Sequence, residues 1–167
     1  SLLEVVTQLA ERVGVTRGFR TVISSIAEVP SVVGSLKPVL LLPVSIVSGL
    51  TPEQLEALIV HELAHIRRHD YFVNVVQTVI ETLLFYHPVV WWVSSRIRYE
   101  RELCCDDVAV STLGNAADYA RALAKLESLR VLRPSLAMGA THGPLFRRIE
   151  RLLGGDDMRE QIGRAHV

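Results

Sequence analysis

Residues 51–68 constrain the fold more than any other stretch, because they carry start signals for a helix and a polar pattern inside it. Thr51 is placed as an N-cap, Pro52 stands at the first helical position, and Gln54 lies three residues past the cap, where it can close a capping box. A helix is predicted from about Pro52 to Arg68. Within it His61, Glu62 and His65 form an HExxH pattern among Ile59, Val60, Leu63 and Ile66. Polar groups in so apolar a setting are costly unless partnered. The helix must therefore pack against elements that bring partners to it.

Two residues four apart on a helix differ by about 40° in direction and about 6 Å along the axis, so both imidazoles can reach one ion. His61 and His65 are accordingly candidate zinc ligands. Glu62 can project beside the ion toward a coordinated water, the place of a general base. The competing reading is a solvated helix face, which the flanking aliphatic residues disfavour.

Catalytic zinc commonly takes three protein ligands and keeps a fourth position open. His69 lies eight residues beyond His61, about 12 Å along the same axis, too far for a shell of about 2 Å bonds. A supporting or helix-terminal role beside Arg67 and Arg68 is expected for it. A better donor lies in residues 100–107, where Glu102 and Asp106 are four apart and share a helical face. One carboxylate can bind the ion while the other accepts a hydrogen bond from a ligand histidine. The rival readings are a charged surface turn, or thiolate ligation by Cys104 and Cys105 in a more structural site.

The rest of the chain reads as a helical body around a small sheet. Leu2, Val5, Val6, Leu9 and Val13 make one apolar stripe closed by Gly14, an amphipathic helix. From 20 to 43, short Val-, Ile- and Leu-rich runs broken by Pro30, Gly34, Pro38 and Pro43 predict two or three strands. The apolar texture continues to residue 50, but its prolines, glycines and lysine argue against one unbroken spanning helix, and strands are preferred. Residues 71–95 are the most apolar long stretch and predict two helices meeting near His87 and Pro88. His87 is expected to cap the second. Glu81 argues against a simple lipid-facing span, whereas Trp91, Trp92 and the flanking arginines suit an interface. The expectation is a greasy helical pair buried in a larger parent or lying at a membrane surface. Further helices are predicted over 96–113, stopped by Gly114, over 116–130, capped by Asn115, and over 144–153. Residues 1–153 are expected to be one domain, and 154–167 a tail that is frayed or foreign to it.

Composition narrows the function classes. The 167 residues suit one domain. The 18 Lys and Arg balance 18 Asp and Glu, so the basic footprint of a nucleic-acid binder is missing and no direct nucleic-acid partner is expected. Hydrophobic residues at 49% against 22% charged exclude a disordered chain. The only two cysteines are adjacent, which suits buried thiols in a reducing compartment rather than a disulfide framework. A start at Ser1 with no signal peptide is read as a piece of a larger protein.

KPVLLLP, LTPEQLEALIVHELAHIRRHDYFVN, ETLLFYHPVVWW and RYERELCCDDVAV occur in this order. Together they resemble the zinc metallopeptidase domain of the BlaR/MecR-type antirepressor family, membrane-associated gluzincins, over about residues 15–130. The resemblance implies Zn2+ held by His61, His65 and Glu102, with Glu62 as catalytic glutamate and Asp106 as the supporting acid. It also implies an α+β, mostly helical gluzincin-like domain with a small β-sheet preceding the HExxH helix. A zinc metalloendopeptidase on the cytoplasmic side of the bacterial inner membrane is expected, held there by flanking helices outside this sequence. Its substrate would be a transcriptional repressor or the parent chain itself. No Ser-x-x-Lys sensor is present here, so the resemblance is confined to the peptidase core.

Two subsidiary expectations concern substrate. The PSVVGS segment is a candidate edge strand for an extended peptide, and Tyr99, Arg98, Arg101 or His69 could assist the oxyanion. Alternatives from other classes are a non-catalytic membrane signalling module stapled by structural zinc, and a thiol-based metal sensor.

Overall fold

The computed structural model describes residues 2–27, 29–34, 37–131 and 145–154. Its centre is α3 (Pro52–Arg67), against which α1 (Leu2–Val13), α5 (Pro88–Leu113) and α6 (Ala116–Val131) pack. The capping box forms as predicted. Gln54 N–H donates to Thr51 Oγ1 at 3.3 Å, and Thr51 N–H donates to Gln54 Oε1 at 3.2 Å. Leu58, Ile59, Val60, Leu63 and Ile66 of α3 are buried with Val6 and Leu9 of α1 and Leu123 of α6, so the helix carrying HExxH is enclosed by the main core.

Three strands precede α3: β1 (Arg20–Ser24), β2 (Ser31–Val33) and β3 (Val39–Pro43), in the order β1-β3-β2. β3 pairs parallel with β1 and antiparallel with β2. Leu40 and Leu42, two apart and therefore on one face of β3, are fully buried. β2 is an edge strand and also packs on α3. Just after it Gly34 takes φ +88°, and a Cβ there would meet the Lys37 carbonyl oxygen at 2.8 Å, so the turn requires glycine. The segment after β3 corrects the preference for strands up to residue 50: α2 (Val44–Gly49) is a short helix. Six residues are too few for helical periodicity to register.

The apolar stretch forms the predicted pair, α4 (Asp70–Leu83) and α5, joined through residues 84–87. His87 occupies the N-cap position of α5 but makes no side-chain cap bond, contrary to expectation. α5 continues unbroken through the region anticipated as a separate helix and ends at Gly114, whose φ of 79° lets its N–H donate to Val110 O at 2.8 Å. Asn115 caps α6, its Oδ1 accepting from Ala117 N–H and Asp118 N–H. A last helix, α7, covers residues 145–154; the expected tail beyond it lies outside the described residues. The architecture is thus α+β and mostly helical. Among the described residues no helix is long and apolar enough to cross a membrane.

Candidate metal centre

α3 and α5 cross so that side chains from distant parts of the sequence converge. His61 Nε2 and His65 Nε2 face each other at 3.3 Å. Glu102 completes a triangle, with Oε2 at 3.4 Å from His61 Nε2 and Oε1 at 3.6 Å from His65 Nε2. Around a tetrahedral zinc with bonds of about 2.0–2.1 Å, donor atoms stand about 3.3–3.4 Å apart, so each of these separations is close to an edge of such a shell, and one ligand atom from each residue lies within 4.8 Å of the others.

The hydrogen bonds on the far side of each ring fix what the triangle offers. Tyr119 Oη–H donates to Asp106 Oδ1 at 2.6 Å, leaving its oxygen to accept from His61 Nδ1 at 2.8 Å, while Asp106 Oδ1 lies 3.3 Å from the same nitrogen. Burial first, and the neighbouring Asp106 charge next, hold the Tyr119 hydroxyl well above its usual range, so it remains a donor. His65 Nδ1–H donates to Asp70 Oδ2 at 2.7 Å. With both Nδ1 protons engaged, the Nε2 atoms face each other and a carboxylate that has only lone pairs to give, so the gap between them is filled either by a proton on Nε2 or by a metal ion. Such an arrangement calls for a cation.

The electrostatics agree. Burial alone would keep His61 neutral, yet its bonds to Asp106 and Glu102 and the charge of Glu62 outweigh it and push the ring up to about 9. Burial likewise opposes the charge on Glu102, but His61 and Arg148 hold it down to about 2. Asp106, fully buried, is kept below the usual carboxylate range against that burial by Arg148 and His61. Glu62, half-buried next to the triangle, is raised chiefly by desolvation. A divalent cation meets this demand for positive charge with ligands of the nitrogen and oxygen type that zinc accepts.

The site opens on a cleft lined by Glu62, His65, Glu102, His69 and Arg101 together with Val32 of β2 and Gly34 just after it. Of the four candidate oxyanion partners, Arg101 and His69 line this cleft. Arg98 is paired with Glu81 at 2.6 Å, and Tyr99 lies under Arg96. Arg101 is steadied by Asn74 Oδ1 at 2.6 Å, while its buried Nε has no partner among the described residues. His69 takes a left-handed φ of 58° between α3 and α4, and its neighbour Asp70 supplies the bond to His65.

Sequence reasoning missed Asp70, Tyr119 and Arg148. Only Asp70 had a local signal, five residues past His65 at the start of α4; nothing in the spacing ties positions 119 and 148 to position 61. A second group of potential ligands, His65, Asp70 and Cys105, also gathers. Cys105 Sγ lies 3.4 Å from His65 Nδ1 and 3.7 Å from Asp70 Oδ2, and burial pushes its thiol far up, so it acts as a weak donor behind the ring.

A model of the family described as BlaR1 peptidase M56 matches residues 1–152. The chain is 25% identical over 130 residues to the regulatory protein BlaR1 of Bacillus licheniformis, a match covering 77% of this chain and 22% of that protein. It is 28% identical over 83 residues to methicillin resistance mecR1 proteins of Staphylococcus aureus and Staphylococcus epidermidis, covering 50% of this chain and 14% of theirs. The chain thus spans less than a quarter of the length of these relatives. A match running from the first helix almost to the end of the last one covers both the HExxH helix and the helix that brings Glu102 to it, and on that ground the chain belongs to the BlaR1 peptidase M56 family.

Proposed function

We propose that this chain is the core of a zinc-dependent metalloendopeptidase that cuts a regulatory protein, either a cytoplasmic repressor or its own parent chain, at the inner membrane of a bacterium. The observation that carries the reading is the triangle of His61 Nε2, His65 Nε2 and Glu102, with 3.3–3.6 Å between donors and both Nδ1 atoms engaged elsewhere. The names of the relatives, a regulatory protein and methicillin resistance proteins, support the regulatory part.

His61, His65 and Glu102 would hold the zinc, which when bound would supply Lewis acidity toward water and the scissile carbonyl. Glu62 takes the proton of the attacking water and delivers it to the leaving amine nitrogen. Its desolvated carboxyl, raised above the ordinary range, suits a group that both accepts and returns a proton. An extended substrate adds to the free edge of β2 by main-chain hydrogen bonds, which aligns its backbone across the cleft. Arg101 is the best placed of the four candidates to face the developing oxyanion.

The competing reading, zinc as a helix staple, calls for a closed shell, whereas this site opens on the cleft and the Glu102 side chain keeps 32% of its surface exposed. Zinc content measured alongside cleavage of unfolded casein separates the two. Cleavage abolished by a chelator and restored by zinc is expected; bound zinc without chelator-sensitive cleavage of casein or of the chain itself would favour the staple.

A further inference from the structure

Outside the metal centre, the most unusual surface is the far end of the α4–α5 hairpin. Every residue from Thr82 to Val93 is exposed except the half-buried Val90. The run includes Leu83 at 70%, Phe85 at 68%, Tyr86 at 69% and Trp92 at 69% exposure. Along α4 the apolar surface continues through Phe72, Val76 and Val79, spaced so that they share one face. This is far from the scattered single apolar residues that a water-facing surface ordinarily shows.

The charge pattern says what covers it. Residues 82–95 contain no Lys, Arg, Asp or Glu. The one acid of residues 71–95, Glu81, is paired with Arg98 at 2.6 Å and its side chain is only 17% exposed. Just behind the tip on α5 come Arg96 and Arg98, exposed and ion-paired with Glu100 and Glu81, and at the other end of α4 stand Arg67 and Arg68, also exposed. An uncharged aromatic tip followed by a band of exposed ion pairs complements an acyl layer beneath a polar headgroup region. The tip is apolar on all sides, whereas a twofold contact with a second copy would cover one face and leave the other in water. A fluid hydrocarbon phase covers every face.

We propose that the α4–α5 hairpin is a monotopic membrane anchor, its tip around Leu83–Trp92 inserted into one leaflet with Arg96 and Arg98 at the headgroups. From Pro88 to Arg96 the axis advances about 12 Å, less than half of an acyl core about 30 Å thick, so the hairpin enters the bilayer without crossing it. The same two helices carry Asp70, at the start of α4, and Glu102, midway along α5. Glu102 stands about 21 Å from Pro88 along α5, which holds the metal centre just above the headgroups. The anchor does not depend on what reaction the site performs.

The chain's only tryptophans, Trp91 and Trp92, lie in this tip, so intrinsic fluorescence reads it directly. The full chain is mixed with phosphatidylcholine–phosphatidylglycerol vesicles, with and without acyl-chain bromine. Co-flotation, a blue-shifted emission and quenching by the brominated chains are expected. Phe85→Glu and Val89→Glu, both at exposed positions, should each lower vesicle partitioning at least about tenfold. Their thermal unfolding should match the parent's. Absence of flotation and quenching by the parent chain would overturn the anchor, as would concentration-dependent dimerisation that buries the tryptophans and persists with vesicles in excess.

Discussion

Arg148 of α7 clamps Asp106 of α5, its Nε donating to Oδ2 at 2.8 Å and its Nη2 to Oδ1 at 2.6 Å, while its Nη1 lies 3.0 Å from Glu102 Oε2. One guanidinium thus ties the last described helix to the carboxylate behind His61 and to the carboxylate beside it. Asp106 is fully buried and depends on this partner. Arg148→Met is expected to destabilise the fold by about 3–5 kcal/mol, because it strands a buried charge. Urea unfolding measures it, and Arg148→Lys should fall between, keeping the charge but losing the two-pronged geometry.

The groups behind the imidazoles should govern metal affinity without touching the metal. Asp70→Asn and Tyr119→Phe each weaken the hold on an Nδ1 proton. Each is expected to reduce zinc affinity by about 10- to 100-fold, measured by competition with a fluorescent chelator. Unchanged affinity in both would mean that the rings are oriented by packing alone.

Glu62 and Glu102 should separate chemistry from binding. Glu62→Gln is expected to retain zinc and lose casein cleavage by about 10²- to 10⁴-fold, the usual range for a general base. Glu102→Ala should lose zinc in the same metal assay. Full turnover by Glu62→Gln would remove that residue from the mechanism.

Thr51→Ala tests the helix that carries the site. Losing the Oγ1 acceptor for Gln54 N–H should cost about 0.5–2 kcal/mol in thermal or chemical unfolding. Zinc content of the folded fraction should not change, because the cap lies more than two turns from His61.

The thiols give a further check. Cys105 is fully buried and Cys104 partly so. Under native conditions iodoacetamide should modify Cys104 first and reach Cys105 only on unfolding, as peptide mass mapping would record. Replacing Cys104 with Ser should leave zinc content unaltered, since that thiol belongs to neither ligand group. Loss of zinc in this variant would revive thiolate ligation.

Much of this molecule was legible in one dimension because its signals are local. The capping box at Thr51 and Gln54, the Pro88 break, the Gly114 stop and the four-residue spacings of His61 with His65 and of Glu102 with Asp106 all act within about one helical turn, where chain geometry limits the readings to a few. The six-residue α2 escaped because it is shorter than the period that would reveal it. Tertiary structure alone decided which carboxylate stands 3.4 Å from His61 Nε2, that Tyr119 and Asp70 fix the two Nδ1 protons, and that Arg148 arrives from α7 to balance Asp106. Those partners meet across 5 to 58 positions of sequence, and buried charges choose partners by distance in space. The same division applies to the hairpin: its composition was written in residues 71–95, but only packing revealed that α3 and the core leave its far end uncovered.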